Sequence, residues 1–203
     1  GYHFNITPKL RIEVARDSHF TLVLTFSLFY VKVGDTMNLA VIGLGKLGLP
    51  LAALLATSGN HVKAYDLSSN VRSSITNRNI QSNEPGLRKL LNDKNCALEV
   101  SETIDEAIAE VEIVFIIVPT PSLETGHFAN HYVVNAISEI GKALKLNQKI
   151  VIDIVSTVMP GSCDGPIKSA LEKTSGRKLS DELGLCYNPE FIALGSVIHD
   201  MEY

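Results

Sequence analysis

Cysteine is scarce in this 203-residue chain, and its spacing excludes two common uses of the residue. Cys96, Cys163 and Cys186 are odd in number and far apart in the sequence. Disulfide frameworks use even sets of cysteines, and zinc sites bring cysteines together in CxxC pairs. His127 and His131 are a possible metal pair by spacing, but no third ligand stands nearby. We therefore expect a reducing, cytoplasmic compartment and no metal.

Long runs of positive charge are also missing. The chain has 18 basic and 22 acidic residues and a formal net charge of -4, with no extended basic segment. Proteins that bind duplex nucleic acid usually carry a basic patch or stripe. Residues 20–33 are almost wholly apolar, but this run is shorter than the roughly 20 residues that span a bilayer. Neither nucleic acid nor a membrane is an expected partner.

Residues 1–36 differ from the rest of the sequence, because they hold four of the seven phenylalanines. A secretory signal peptide is disfavoured, since the region before the apolar run is long and carries Glu13 and Asp17, and no small-residue cleavage site follows. Three interpretations stay open: a β-rich extension, the tail of a neighbouring domain, or non-native sequence translated upstream of a true start at Met37. We treat these residues as an extension of unknown role.

From Met37 onward, short apolar runs alternate with segments of helical spacing. The period-2 and β-branched runs predict strands at 38–43, 61–66, 98–101, 111–118, 149–154 and 183–187. Helical spacing predicts helices at 47–58, 84–91, 104–110, 131–144 and 162–172, with a polar, irregular stretch at 67–83. Repeated βα units with short connections indicate an α/β fold: a Rossmann-type doubly wound parallel sheet with helices on both faces.

A glycine-rich turn lies between the first strand after Met37 and its helix. Gly43, Gly45 and Gly48 form a GxGxxG motif in the strand–turn–helix context of a dinucleotide site. The first glycine permits a tight turn, the second lets a pyrophosphate approach the backbone, and the third lets the helix pack close to the sheet. Lys46 and Leu47, inside the motif, are expected to line the same phosphate site at the helix N-terminus.

Asp66 ends the second strand, eighteen residues beyond Gly48. A carboxylate there can accept hydrogen bonds from both ribose hydroxyls of the adenosine and would repel a 2′-phosphate, so NAD is favoured over NADP as cofactor. The alternative is a glycine turn and a helix-capping aspartate in a domain that binds no ligand. Position and spacing together favour the cofactor site.

Five motifs in a fixed order carry a family resemblance. They are GLGKLGLPLA at 43–52, NEPGL at 83–87, VPTP at 118–121, STVMPG at 156–161 and YNPEF at 187–191. Together they make the chain resemble the UDP-glucose/GDP-mannose dehydrogenases. The resemblance covers the NAD-binding half of that family, so 37–203 is expected to be an NAD-binding domain that stops before the linking helix and the nucleotide-sugar domain.

The resemblance also implies a reaction. Members oxidise the C6 alcohol of a nucleotide sugar to a carboxylate with two NAD⁺, through an aldehyde and a covalent intermediate on a cysteine that none of the three cysteines here matches. We expect UDP-glucose as the substrate, giving UDP-glucuronate for polysaccharide biosynthesis, in a full-length homodimer; this chain alone is expected to be inactive. The alternatives are a UDP-N-acetylhexosamine dehydrogenase and a non-catalytic nucleotide-binding module.

Loops after two later strands are expected to complete the cofactor site. Both follow strand ends at the carboxyl edge, where ligands of doubly wound sheets bind. From the residue types alone, Thr120 could instead cap a rigid loop, and Thr157 could cap the helix near Ser162. The resemblance implies that Thr157 positions the catalytic water. The expected cofactor contacts here are Val118, Pro119, Thr120, Pro121, Ser156 and Thr157.

The YNPEF motif supplies the expected acid/base group. The resemblance implies that Glu190 is the general acid/base, notably in thioester hydrolysis; without it, Glu190 could be a first-turn glutamate that complements a helix dipole. Phe191, Ile192, Ala193 and Leu194 match the segment that holds the sugar. Many members have a second glutamate where Leu194 stands. Because a leucine side chain cannot form hydrogen bonds, we exclude Leu194 as a polar ligand. Lys46 also departs from the family, which usually has an aromatic residue there.

Overall fold

A six-stranded parallel sheet forms the centre of the fold. The structure is a computed structural model that describes residues 3–7, 10–13, 36–124, 126–189 and 194–202. Two antiparallel strands, β1 (His3–Thr7) and β2 (Leu10–Glu13), form a separate sheet. The parallel sheet has the order β5-β4-β3-β6-β7-β8. Its strands are β3 (Asn38–Ile42), β4 (His61–Tyr65), β5 (Leu98–Val100), β6 (Ile113–Ile116), β7 (Ile150–Ile154) and β8 (Leu183–Tyr187).

Helices cover both faces of this sheet, as the alternating pattern predicted. One apolar cluster joins α1 to one face and another joins α5 and α6 to the opposite face. Because β6 and β7 are buried along their whole length, their sequences are nearly uniform in apolar residues. The helices are α1 (Gly48–Thr57), α2 (Ser69–Thr76), α3 (Leu87–Leu91), α4 (Ile104–Ile108), α5 (His131–Ala143), α6 (Lys168–Ser175) and α7 (Val197–Glu202). The prediction of a doubly wound α/β fold is confirmed.

The prediction that 67–83 is irregular is wrong, because α2 occupies its first half. The Ser68 side chain accepts a hydrogen bond from the Val71 N–H and so caps the helix N-terminus. Ile75, one turn beyond Val71, is buried against the core, whereas Val71 only packs at its border. Because α2 is short and polar and has only two apolar contacts, its sequence shows almost no helical periodicity. The capping residue Ser68 was therefore the main sign of this helix in the sequence.

The predicted helix at 162–172 also begins differently. Residues 163–167 form a π-helical segment with non-helical backbone at Gly165, and regular α6 follows to Ser175. Pro166 lies inside this segment, and proline removes one backbone donor from a helix. Other predicted elements agree with the structure to within a few residues at their ends, and β8 agrees at both ends.

The chain reverses its direction across the sheet between β3 and β6. From β3 it moves outward to β4 and β5, then returns to place β6 on the other side of β3. In open α/β sheets, ligands bind at the carboxyl ends of the strands where the order reverses. Within the described ranges, no helix is both long enough and apolar enough to cross a membrane.

Candidate functional site

The turn after β3 is closed tightly at Gly43. Its φ is +98°, and a Cβ added there would lie 2.2 Å from the Ile117 carbonyl oxygen at the end of β6. The Gly43 N–H donates to the Tyr65 carbonyl oxygen at 2.8 Å. Gly43 is therefore held between the ends of two neighbouring strands, and only glycine fits both the conformation and the space.

The other two glycines of the motif differ from each other. A Cβ on Gly48 would lie 1.9 Å from the Gly43 carbonyl oxygen, so the start of α1 packs directly on the turn. Gly45 is exposed, and nothing lies within 4 Å of the position its Cβ would take. Gly43 and Gly48 thus keep the turn compact, while Gly45 leaves open backbone that a phosphate can approach.

The α1 helix begins at Gly48, three residues after this open position. The first N–H groups of a helix have no partner inside the helix, and the helix dipole gives that end partial positive charge. The first turn of α1 carries no acidic residue. Lys46 is exposed and Leu47 is half-buried just before the helix. The turn therefore fits a pyrophosphate in shape and in charge.

Asp66 lies directly after β4 with both carboxylate oxygens oriented by backbone. Its Oδ2 accepts from the Leu44 N–H at 2.8 Å and its Oδ1 from the Ser68 N–H at 2.9 Å. Each carboxylate oxygen has further acceptor capacity, and the residue is partly exposed. The carboxylate is thus fixed next to the glycine turn and can accept two ribose hydroxyls, as the sequence predicted for NAD.

Arg72 on α2 supports this corner and was missed in the sequence, because its helix was not predicted. Its guanidinium donates to the Asp66 carbonyl oxygen at 2.8 Å and pairs with Glu102 at 3.0 Å. It also lies over the Tyr65 ring, 5.5 Å from the centroid. Because its guanidinium is already bound to these partners, Arg72 stabilises the backbone at Asp66 and is not available to pair with a 2′-phosphate.

The loop after β6 is tied to β7 by Ser156. The Ser156 Oγ accepts from the Val118 N–H at 2.9 Å and lies 2.8 Å from the Val118 carbonyl oxygen, to which it can donate. Ser156 is only 7% exposed. Its hydroxyl therefore holds the start of the loop that contains Pro119, Thr120 and Pro121. The Gly43 Cβ position lies 3.2 Å from a Val118 methyl group.

Thr157 follows Ser156 and is exposed at the carboxyl end of β7. It does not cap the next helix, because that segment begins at Cys163 and its N-cap position is Ser162. The helix-cap interpretation of Thr157 is therefore wrong. Four residues predicted at the sugar and acid/base positions lie outside the described residues: Glu190, Phe191, Ile192 and Ala193. Leu194 is described and is 62% exposed.

The three cysteines lie away from this edge or are buried. Cys186 is 1% exposed within β8 and packs in the core. Burial, together with the nearby carboxylates of Asp164 and Asp153, raises the pKa of Cys163 to about 11. Burial likewise raises the pKa of Cys96. Because their pKa values are raised, the Cys96 and Cys163 thiols are more protonated than an ordinary cysteine, which disfavours their use as nucleophiles.

Comparison with known proteins gives the same assignment as the geometry. The profile of the UDP-glucose/GDP-mannose dehydrogenase family, NAD binding domain, matches residues 37–203. A GDP-mannose 6-dehydrogenase of Pseudomonas syringae pv. tomato is 32% identical over 169 residues, which are 82% of this chain and 39% of that protein. The chain thus spans about two fifths of the length of the curated relatives it matches.

Solved structures of related enzymes share the fold. A UDP-glucose dehydrogenase from Pyrobaculum islandicum has a TM-score of 0.75 at 27% identity, covering 83% of this chain and 39% of that chain. The UDP-N-acetyl-mannosamine dehydrogenase Cap5O from Staphylococcus aureus has a TM-score of 0.71 at 26% identity, covering 80% of this chain and 39% of that chain. With the glycine turn, Asp66 and the sheet order, these findings show that the chain belongs to the UDP-glucose/GDP-mannose dehydrogenase family and that residues 37–203 are its NAD-binding domain.

Proposed function

We propose that the protein oxidises the C6 alcohol of a nucleotide-linked hexose with NAD⁺, and that this chain supplies the dinucleotide site. One observation carries the proposal: the glycine turn, the fixed carboxylate of Asp66 and the loop at Val118 are joined by direct contacts at the switch point of the sheet. An open Gly45 between two closed glycines supports a phosphate position in the turn.

Each part of this edge has a defined task in the proposed reaction. Asp66 accepts the adenosine ribose hydroxyls, and the N-terminus of α1 with Lys46 and Leu47 holds the pyrophosphate. The Val118–Pro121 loop and Ser156 line the path toward β7, and Ser156 acts by fixing that loop. Bound NAD⁺ supplies the hydride acceptor in both oxidation steps.

Thr157 and Glu190 are proposed for the reacting centre. Thr157 is exposed at the end of β7, where its hydroxyl is accessible to a water molecule. The Glu190 carboxylate is proposed to take a proton from the attacking water when the bound acyl group is hydrolysed. Phe191, Ile192, Ala193 and the backbone at Leu194 are proposed to contact the sugar.

A separate proposal concerns which nucleotide sugar is the substrate. UDP-glucose, oxidised to UDP-glucuronate, is the substrate we propose first. GDP-mannose is the second candidate, because the GDP-mannose 6-dehydrogenase of P. syringae pv. tomato is 32% identical. A UDP-N-acetylhexosamine is the third, because the S. aureus UDP-N-acetyl-mannosamine dehydrogenase shares the fold with a TM-score of 0.71.

Turnover by the protein at its full encoded length tests the proposal. NADH formation is measured with UDP-glucose, GDP-mannose and UDP-N-acetylmannosamine, and the molar ratio of NADH to sugar is determined. We expect one of the three sugars to yield two NADH per molecule. NAD⁺ binding without NADH formation from any nucleotide sugar would contradict the proposal and favour a non-catalytic binding module.

A further inference from the structure

The described residues on either side of the proposed sugar-contacting residues are anchored by hydrogen bonds. At its start, the Asn188 N–H donates to the Ile154 carbonyl oxygen at 3.0 Å. The Asn188 amide also donates to the Asp153 Oδ2 at 3.4 Å, and Asp153 is fully buried in β7. Asn188 is thus attached to the carboxyl end of β7.

On the other side, the start of α7 is held by Glu84, which lies 114 positions before Ile198 in the chain. The Glu84 Oε1 accepts a hydrogen bond from the Ile198 N–H at 3.0 Å, in the first turn of α7. Glu84 is itself half-buried, and its own N–H donates to the Ser82 Oγ at 3.1 Å. A carboxylate at this end of a helix satisfies a backbone donor and complements the helix dipole.

Packing around this contact gives it a rigid base. Val197, Ile198 and Met201 are buried in the apolar cluster that also contains Leu87 and α1. Gly86 has a φ of +82°, and its Cβ position would lie 3.8 Å from the Ile198 methyl group. The turn between Glu84 and Leu87 therefore lies next to the start of α7, which gives the NEPGL motif a physical role that its residue types alone did not indicate.

We propose that Glu84 is a positioning residue for the sugar-binding segment. By accepting the hydrogen bond from the Ile198 N–H, it fixes where α7 begins, and Asn188 is fixed by its own hydrogen bond on the other side of the proposed sugar-contacting residues. The proposal rests on the proposed function, since Glu190 and Leu194 matter to catalysis only if this segment contacts a nucleotide sugar. Glu84 forms hydrogen bonds with Ser82, Leu87 and Ile198, none of which is a proposed cofactor-binding residue.

Hydrogen–deuterium exchange on the 203-residue chain tests the anchor itself. Glu84→Ala removes the acceptor, whereas Glu84→Gln keeps a side-chain oxygen at the same reach. We expect amides in 196–202 to exchange about five-fold faster in Glu84→Ala, the effect of losing one helix-capping contact, and to be near wild type in Glu84→Gln. Glu139→Ala, on the exposed face of α5, is the control for charge loss. Unchanged exchange in Glu84→Ala would overturn the proposal.

Steady-state kinetics of the protein at its full encoded length tests the positioning role. We expect Glu84→Ala to lower kcat/KM for the nucleotide sugar at least about five-fold while KM for NAD⁺ stays within two-fold, and Glu84→Gln to restore most of the loss. An active wild type with an unaffected Glu84→Ala variant would refute the positioning role alone. A wild type that binds NAD⁺ but oxidises no nucleotide sugar would refute the proposed function, and the positioning role with it.

Discussion

The three glycines of one turn differ at the level of single atoms. Added side chains at Gly43 and Gly48 would collide with backbone, at 2.2 and 1.9 Å, whereas one at Gly45 would enter open space. The same motif therefore contains two residues that shape the turn and one that leaves room for the ligand. This difference separates a folding requirement from a binding requirement, and substitution tests it.

Gly45→Val is expected to abolish detectable NAD⁺ binding without unfolding the protein. The added methyl groups occupy the space proposed for the pyrophosphate, and no described protein atom lies within 4 Å of the added Cβ. Gly43→Ala is the contrasting variant, because its φ of +98° and the nearby Ile117 oxygen penalise any side chain. Isothermal calorimetry and thermal melting check both: Gly45→Val should keep the wild-type Tm, and Gly43→Ala should lower it. NAD⁺ binding by folded Gly45→Val would contradict the assignment of the turn.

Asp66→Asn is expected to weaken NAD⁺ binding about ten-fold or more and to reduce the preference for NAD⁺ over NADP⁺. A hydrogen bond to a charged group is worth about 1.5–3 kcal/mol, and the amide removes the charge that repels a 2′-phosphate. The amide keeps one oxygen to accept a hydrogen bond from the Leu44 or the Ser68 N–H, so the turn should persist. Dissociation constants for both cofactors check this, and an unchanged NAD⁺/NADP⁺ ratio would argue against Asp66 as the ribose ligand.

Cys163 is expected to react slowly with iodoacetamide in the native protein at neutral pH. Its pKa of about 11 means that the reactive thiolate forms only in strong alkali, so the rate should keep rising with pH to that value. Because the neutral thiol is favoured in the folded state, its contribution to stability is present below pH 9 and is lost as the pH rises toward 11. Labelling followed by mass spectrometry measures the profile; a plateau near pH 8 would show a different environment.

At the scale of elements, predictability followed burial. The strands β6 and β7 are buried on both faces, so their composition alone identified them. In contrast, α2 buries only Ile75, and its sequence carries little periodic signal. Missing this helix also hid Arg72, whose contacts with Asp66 and Glu102 depend on where the helix places it. Ser156 was predicted as a site residue, but only the structure shows that its hydroxyl joins two strands' loops.

Ser156→Ala is expected to destabilise the protein by about 1–3 kcal/mol. The substitution leaves the Val118 N–H without its acceptor and separates the loop after β6 from β7. Ser138→Ala is the matched control, since its hydroxyl donates only to the Val134 carbonyl oxygen within α5 and its loss should change little. Urea denaturation measures both free energies of unfolding, and equal effects of the two substitutions would refute the linking role of Ser156.

At the scale of the whole molecule, the strand order brings distant motifs together. The order β5-β4-β3-β6-β7-β8 places the ends of β3, β4, β6 and β7 side by side, so motifs separated by up to about a hundred residues meet at one edge. This meeting of distant motifs could be predicted, because the carboxyl ends of parallel strands lie at the same edge of a sheet. The hydrogen bond from Ile198 to Glu84 could not, since it depends on how a short helix docks against a turn 114 positions earlier in the chain.

Calorimetric titration of the 203-residue chain with NAD⁺ and with NADP⁺ tests the central claim most directly. The claim is that the joined edge at Gly45, Asp66 and Val118 forms an NAD-selective site. We expect saturable NAD⁺ binding at one site, at least about ten-fold tighter than NADP⁺, because the carboxylate and a 2′-phosphate repel each other. Circular dichroism establishes that the chain is folded in the same buffer. A folded chain that binds neither cofactor, or binds both equally, would contradict the account.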